Sequence, residues 1–239
     1  MIPIRDSLQA RTVPVMTVLL IAANVLVFLA ISQVGPGADE LVQAFSFIPR
    51  RYFGWRGSAL EPGRWLPLVT AMFLHANLLH LVSNMWFLWV FGDNVEDRLG
   101  HGRFLAFYLL CGVASFLVHG LSAPGSRLPA LGASGAISGV LGAYLVLFAG
   151  ARILTLIPIV IIPWFVEIPA VVFIGMWFLL QFLYATHAAA GQAGVAWWAH
   201  VGGFVAGVLL CLVMRRPAPP PPPRRWVTRR TRGTGWPGF

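Results

Sequence analysis

Long runs without a charged residue alternate with short clusters of arginine and acid along this 239-residue chain. From one charged residue to the next, the longest uncharged stretches are 12–38, 65–92, 104–126, 128–151, 153–166 and 168–214. A helix needs about 20 apolar residues to cross a bilayer. Four of the stretches hold one such helix each, and the last, of 47 residues, holds two around the polar break from His187 to Gly194. The 153–166 stretch is too short. The pattern therefore predicts an all-α polytopic membrane protein with six transmembrane helices, over about 13–33, 68–91, 104–122, 132–150, 168–186 and 195–214. Residues 1–12 precede this 13–214 membrane domain and 215–239 follow it as a tail.

The connections differ in character. The longest, about 34–67, carries the breakers Gly35, Pro36, Gly37, Pro49, Pro62 and Gly63 together with Phe45, Phe47, Tyr52, Phe53, Trp55 and Trp65. Amphipathic rings favour the membrane interface, so this segment reads either as a wandering loop or as a partly embedded structure on the outer face. In 153–166, Pro158 and Pro163 remove backbone donors and bar a regular helix; the segment is expected to lie in the interface or tuck against the bundle. After Met214 the chain switches to Pro217, Pro219 to Pro223 and five arginines between Arg224 and Arg232. Such a tail builds no core and is expected to be a disordered, extended spacer whose arginines rest on anionic lipid. Arg5 and Arg11 precede the first run as they would a signal peptide, yet the run is about twenty residues long and lacks a small-x-small exit, so a retained helix is expected.

Composition narrows the class further. The chain is 58% hydrophobic and 10% charged, where soluble domains carry roughly 25% charged residues. All 17 basic residues are arginine, against eight acids, for a net charge of +9. They flank apolar runs and never interleave with aromatics on a polar face, which excludes a nucleic-acid domain. An even number of spans puts both termini on one side. With the N-terminus inside, twelve arginines lie inside and five outside, seven of the twelve in the tail. The excess of basic residues directs both termini of a cell (inner) membrane protein to the cytoplasm. Cys111 and Cys211 fall inside predicted spans and are expected to be free, buried thiols.

Spans that exclude charge this strictly make their remaining polar residues informative, because titratable groups in a membrane usually face a cavity and do a job. The candidates are His80, Asn84, His119, Ser134, Ser138, Gln181 and His200, with His75 near the water interface. Taken singly, each reads most simply as a hydrogen bond to a neighbouring helix, which is the reading for His119 and Gln181. Spacing changes that for some. His80 and Asn84 are four apart and project from one helix face, so two donors converge on one spot, as a developing oxyanion requires. Around Ser134, the run Gly132-Ala-Ser-Gly-Ala-Ile-Ser-Gly-Val-Leu-Gly142 offers Gly135 with Gly139 and Ser138 with Gly142 as small-xxx-small pairs, a close-packing signal. Ser134 itself falls near the start of its span, where water can reach a hydroxyl. In the last span Gly203 and Gly207 share a face with His200. The glycines admit a small-residue helix, for which the fourth span is the obvious partner, and His200 rides on the approaching face. A serine becomes nucleophilic at neutral pH when a base such as histidine lies about 2.6–3.2 Å away.

These residues resemble the rhomboid intramembrane serine proteases. The resemblance rests on His75-x4-His80-x3-Asn84, on Gly92-Asp-Asn-Val-Glu-Asp-Arg-Leu-Gly100, on Gly132-Ala-Ser-Gly135 and on Ala199-His-Val-Gly-Gly203, in family order, and covers about residues 13–214. It implies a six-helix rhomboid-like bundle in which Ser134 is the nucleophile and His200 the general base, a dyad without an aspartate. It also implies an oxyanion hole from His80, Asn84 and the Ser134 N–H, and cleavage of transmembrane-helix substrates through an acyl-enzyme with neither metal nor nucleotide. Two departures stand out. Gly63-Arg-Trp-Leu-Pro67 keeps a Trp and an Arg but not in the family's frequent order. Ser138 stands where some members carry an aromatic that packs on the catalytic histidine, so another ring has to hold His200. The Gly92–Gly100 stretch reads as a helix stop, with Asp93, Glu96, Asp97 and Arg98 as structural interface anchors.

Two other readings compete. A non-catalytic rhomboid-like protein would bind and escort transmembrane helices, and would have no need of both dyad members. A proton pathway through His80, His119 and His200 would lack an embedded carboxylate and an inverted repeat.

Overall fold

The computed structural model describes residues 1–58, 61–159, 162–187 and 196–215; the expected tail, beyond Arg215, lies outside them. Nine helices occur among the described residues: α1 (Val15–Ser32), α2 (Ala38–Phe45), α3 (Pro49–Phe53), α4 (Pro62–Thr70), α5 (Leu78–Leu99), α6 (His101–Ser122), α7 (Ser134–Phe148), α8 (Ala170–His187) and α9 (Trp197–Met214). The chain is a multi-pass membrane protein of the all-α type. Helices α1, α6, α8 and α9 are each long and apolar enough to cross a membrane, and Pro62–Phe73 with Leu78–Leu99, bent by 83°, gives a fifth span if taken as one. Helix α7 is shorter, 15 residues or about 22 Å at 1.5 Å per residue, against about 30 Å of hydrocarbon.

The second span starts and ends later than hydropathy predicts. Residues 68–73 belong to α4 and a 3-10 turn, and α5 begins only after a break at Leu74–Asn77. The cause is a cap: Asn77 is extended and its side chain accepts from the His80 N–H at 2.8 Å, which satisfies a helix-start donor. At the other end α5 runs through the stretch read as a Gly92–Gly100 loop and stops at Gly100, whose φ of +85° suits glycine alone. The acids of this stretch are thus helical. Glu96 is fully buried and accepts the Met16 and Thr17 N–H groups at the start of α1. The first N–H groups of a helix have no acceptor within it and carry the positive end of its dipole, so a buried carboxylate fits there better than an interface anchor would.

Helix α7 is the centre of the bundle, with every residue from Gly135 to Tyr144 buried. Each of its glycines lowers helix propensity by about 1 kcal/mol relative to alanine; packing repays this. A methyl group at Gly203 would run into the Gly135 carbonyl and one at Gly207 into the Gly139 carbonyl, while one at Gly142 would lie 2.5 Å from the Phe204 carbonyl. Helices α7 and α9 are therefore in main-chain contact along the face that the glycine spacing indicated. Cys111 and Cys211 are buried and free.

The connection 34–67 is structured. Phe47 and helices α3 and α4 pack an aromatic cluster onto α6: Phe47 lies 5.5 Å from Tyr52 and from Phe116, and Tyr52 5.8 Å from Trp65. The Arg64 guanidinium rests over Tyr52 and Trp65 at 5.3 and 5.2 Å, which gives the reordered Gly63–Pro67 sequence its own loop contact. An isolated antiparallel bridge joins Phe47 to Ala130, tying this connection to the turn that enters α7.

The 153–166 segment is part of a small sheet. Strands β2 (Arg152–Ile159) and β3 (Ile162–Pro169) form an antiparallel hairpin, with Pro158 opposite Pro163, and β1 (Ile2–Asp6) pairs with the other edge of β2. Pro158 and Pro163 do bar a helix, but the Ile, Thr, Val, Phe and Trp around them favour a pleated strand. The sheet is tied to the bundle by Asp6, which accepts from Asn94 Nδ2 at 2.9 Å and Tyr144 OH at 2.5 Å, and by the Trp86 indole, which donates to the Pro3 carbonyl at 2.6 Å.

Candidate active site

The turn before α7 is built around Gly132, whose φ of +116° is open to glycine and whose N–H donates to the Ala71 carbonyl at 2.8 Å. This turn ends at Ser134, the first residue of α7. The hydroxyl is half-buried and lies at a helix start, where main-chain N–H groups lack intrahelical acceptors. His200 sits in the first turn of α9, 9% exposed. Main-chain contact between α7 and α9 brings the two together, with Ser134 Oγ 2.9 Å from His200 Nε2.

His80 and Asn84 face the same turn from α5. A methyl group at Gly132 would lie 2.7 and 2.8 Å from His80 Cε1 and Nε2 and 3.8 Å from Asn84 Nδ2. The imidazole and the carboxamide thus close on the main chain two residues before Ser134. Asn84 Nδ2 is buried and has no hydrogen-bond partner among the described residues. An unpaired buried donor costs about 1–3 kcal/mol, and such a cost is commonly tolerated where a reacting group supplies the partner.

Other polar residues fall differently. His75 is 8% exposed and lies in the break before α5, not open to water, with its ring edge-on to His80 at 5.0 Å. Ser138 is buried and returns its hydroxyl to the Ser134 carbonyl at 2.6 Å. It makes no ring contact with His200; that comes from Trp177 and Trp197, whose centroids lie 6.1 and 6.0 Å from the imidazole. His119, expected to bond across helices, instead has its Nδ1 buried and unpartnered among the described residues. Gln181 does bond across helices, from α8, and its partner is His200: Oε1 lies 2.7 Å from Nδ1. The sequence marked Gln181 as a polar residue in a span but gave no reason to join it to the site, since a lone amide there reads as helix glue.

The arrangement can move a proton from a serine hydroxyl to an imidazole beside a cluster of donors, the requirement for attack on a carbonyl. The rhomboid domain family matches residues 62–217. Over 132 residues, 55% of this chain and 24% of the relative, the chain is 34% identical to "Rhomboid protease GluP" of Bacillus subtilis (strain 168). It is 32% identical over 163 residues, 64% of this chain and 53% of the relative, to "Rhomboid-like protein 11, chloroplastic" of Arabidopsis thaliana. With "Presenilin-associated rhomboid-like protein A, mitochondrial" of Danio rerio it shares 39% identity over 100 residues, 41% of this chain and 26% of the relative. The chain thus spans between about a quarter and a half of the length of these relatives. The matched residues include α4 to α9 with the serine, both histidines and the asparagine that converge at the Gly132 turn, and the chain belongs to the rhomboid family.

Proposed function

We propose that this protein is an intramembrane serine endopeptidase that cleaves transmembrane segments of membrane proteins, acting in the cell membrane with both termini on the cytoplasmic side. The observation that carries the reading is the 2.9 Å approach of Ser134 Oγ to His200 Nε2 beside Asn84 Nδ2, which has no partner among the described residues. His200 takes the Ser134 proton as the hydroxyl oxygen attacks the scissile carbonyl carbon. The carbonyl oxygen becomes an oxyanion that His80, Asn84 and the Ser134 N–H stabilise, each donor typically worth about 10²–10³ in rate. His200 then passes its proton to the leaving amine, the C–N bond breaks, and an ester joins the substrate acyl group to Ser134. Water, deprotonated by His200, attacks that ester; the C–O bond to Ser134 breaks, His200 returns the proton to the Ser134 oxygen, and the new carboxyl terminus leaves. The bilayer supplies substrates to this site.

The test is cleavage of a fluorescent transmembrane peptide by purified protein in liposomes, with Ser134→Ala and His200→Ala compared at equal folded amounts. Activity lost in both variants supports the dyad. Cleavage that survives Ser134→Ala sinks the assignment, and a wild type silent across a broad substrate panel transfers the reading to a protein that binds and escorts transmembrane helices.

A further inference from the structure

We infer that Gln181 is a positioning residue for His200, the third member of a Ser134–His200–Gln181 chain of hydrogen bonds; this rests on the protease reading above. The geometry is specific. His200 Nδ1 lies 2.7 Å from Gln181 Oε1 and Nε2 lies 2.9 Å from Ser134 Oγ, so both ring nitrogens are engaged. A neutral imidazole has one N–H and one lone pair. An amide oxygen can only accept, so it holds the N–H on Nδ1 and leaves the Nε2 lone pair for the serine proton, the tautomer a base in this position needs. Trp177 and Trp197 flank the ring at 6.1 and 6.0 Å and restrict its rotation away from that line. Gln181 is itself 9% exposed, so water competes little for its oxygen.

The choice of amide follows from the location. A carboxylate would hold the imidazole as well and stabilise its protonated form more, but an isolated charge within a membrane-spanning helix is expensive. The amide supplies an oriented acceptor and a dipole without a charge. When His200 takes the Ser134 proton, its Nδ1–H bond to Oε1 becomes a bond from a cation and strengthens, so Gln181 contributes most while the proton is on the histidine. Gln181 never touches the substrate in this scheme; it acts through His200.

The experiment compares wild type, Gln181→Met, Gln181→Glu and Ser134→Ala in liposomes, with kcat and KM from transmembrane-peptide cleavage and the His200 tautomer from 15N-histidine NMR, the His200 signal assigned by its loss in His200→Ala. Met matches Gln in length but offers no comparable acceptor. For Gln181→Met, kcat is expected to fall by about 10²-fold, the scale of a general-base contribution, with KM within about twofold and the His200 signal moving from the Nδ1–H form to a mixture. Gln181→Glu, which restores an oxygen acceptor, is expected to recover the rate to within about tenfold of wild type. A Met variant with wild-type kcat, a Glu variant that folds but stays as slow as Met, or a wild-type His200 in the Nε2–H form would each overturn the inference. Failure of the protease reading is separate: it appears as cleavage that survives Ser134→Ala, whereas an inactive Ser134→Ala beside a fully active Gln181→Met removes only the role of Gln181. The tautomer measurement needs no substrate.

Discussion

The carboxylate of Glu96 closes the start of α1 by accepting from Thr17 twice, from its main-chain N–H at 2.8 Å and from its hydroxyl at 2.7 Å. The Met16 N–H reaches the other carboxylate oxygen at 2.8 Å, and His101 Nδ1 meets that same oxygen. One acidic side chain therefore fastens the first helix to α5. Glu96→Ala leaves one buried and one part-buried N–H group without this acceptor, and its expected cost is about 2–3 kcal/mol. Thr17→Val removes only the hydroxyl bond and is expected to cost about 1 kcal/mol. Unfolding of purified protein in detergent measures both; a Glu96→Ala protein as stable as wild type would mean the cap adds nothing.

Gly203→Ala is expected to abolish most activity. The added methyl runs into the Gly135 carbonyl, so α9 has to shift away from α7 and carry His200 with it. A displacement of about 1 Å at a catalytic pair costs on the order of 10²-fold in rate. Gly175→Ala on α8 is the control, because a methyl there meets nothing within 4 Å among the described residues. Peptide cleavage and melting temperature measured side by side should show loss in the first variant and near-wild-type behaviour in the second.

Asn84→Ala should separate activity from stability. On the proposed mechanism the amide donates only to the oxyanion, so kcat is expected to drop by about 10²-fold while KM holds. In the resting protein Nδ2 has no partner among the described residues, so its removal relieves an unsatisfied buried donor instead of breaking a bond. Expected, then, is a variant far slower than wild type and no less stable. A clear fall in melting temperature together with activity would assign Asn84 to structure.

His119→Ala is expected to keep cleavage within about tenfold of wild type, since no hydrogen bond of Nδ1 to the described residues is lost and general acid–base groups typically account for 10²–10⁴. Complete inactivity in a folded variant would bring His119 into the mechanism.

What the sequence revealed follows the helical period. His80 with Asn84, and His200 with Gly203 and Gly207, lie at spacings that fix a common face, so their convergence could be read without coordinates. The start of α5 could not, because hydropathy runs smoothly across residues 68–91 and the boundary depends on one capping bond from Asn77. Strand β1 escaped for a different reason: five residues gain strand structure only by pairing with Ile153 to Leu156, a contact more than 140 positions away. Gln181 was visible as an amide in a span, but the identity of its partner depends on how α8 leans on α9, which spacing within either helix does not encode.

The five polar side chains that converge on the Gly132 turn and on His200 are Ser134, His200, Gln181, His80 and Asn84, and none is an acid or an arginine. A fixed charge crossing the whole membrane would feel about 2.3 kcal/mol per 100 mV. On the proposed mechanism the charges that develop are the His200 imidazolium and the oxyanion beside His80 and Asn84, both held around Ser134 and separated by only a small fraction of the roughly 30 Å hydrocarbon thickness. The transmembrane voltage can then alter the barrier by only a small fraction of that roughly 2.3 kcal/mol per 100 mV. Cleavage in energised and in uncoupled vesicles is expected to run at the same rate, so this chemistry is insulated from the energetic state of the membrane that houses it.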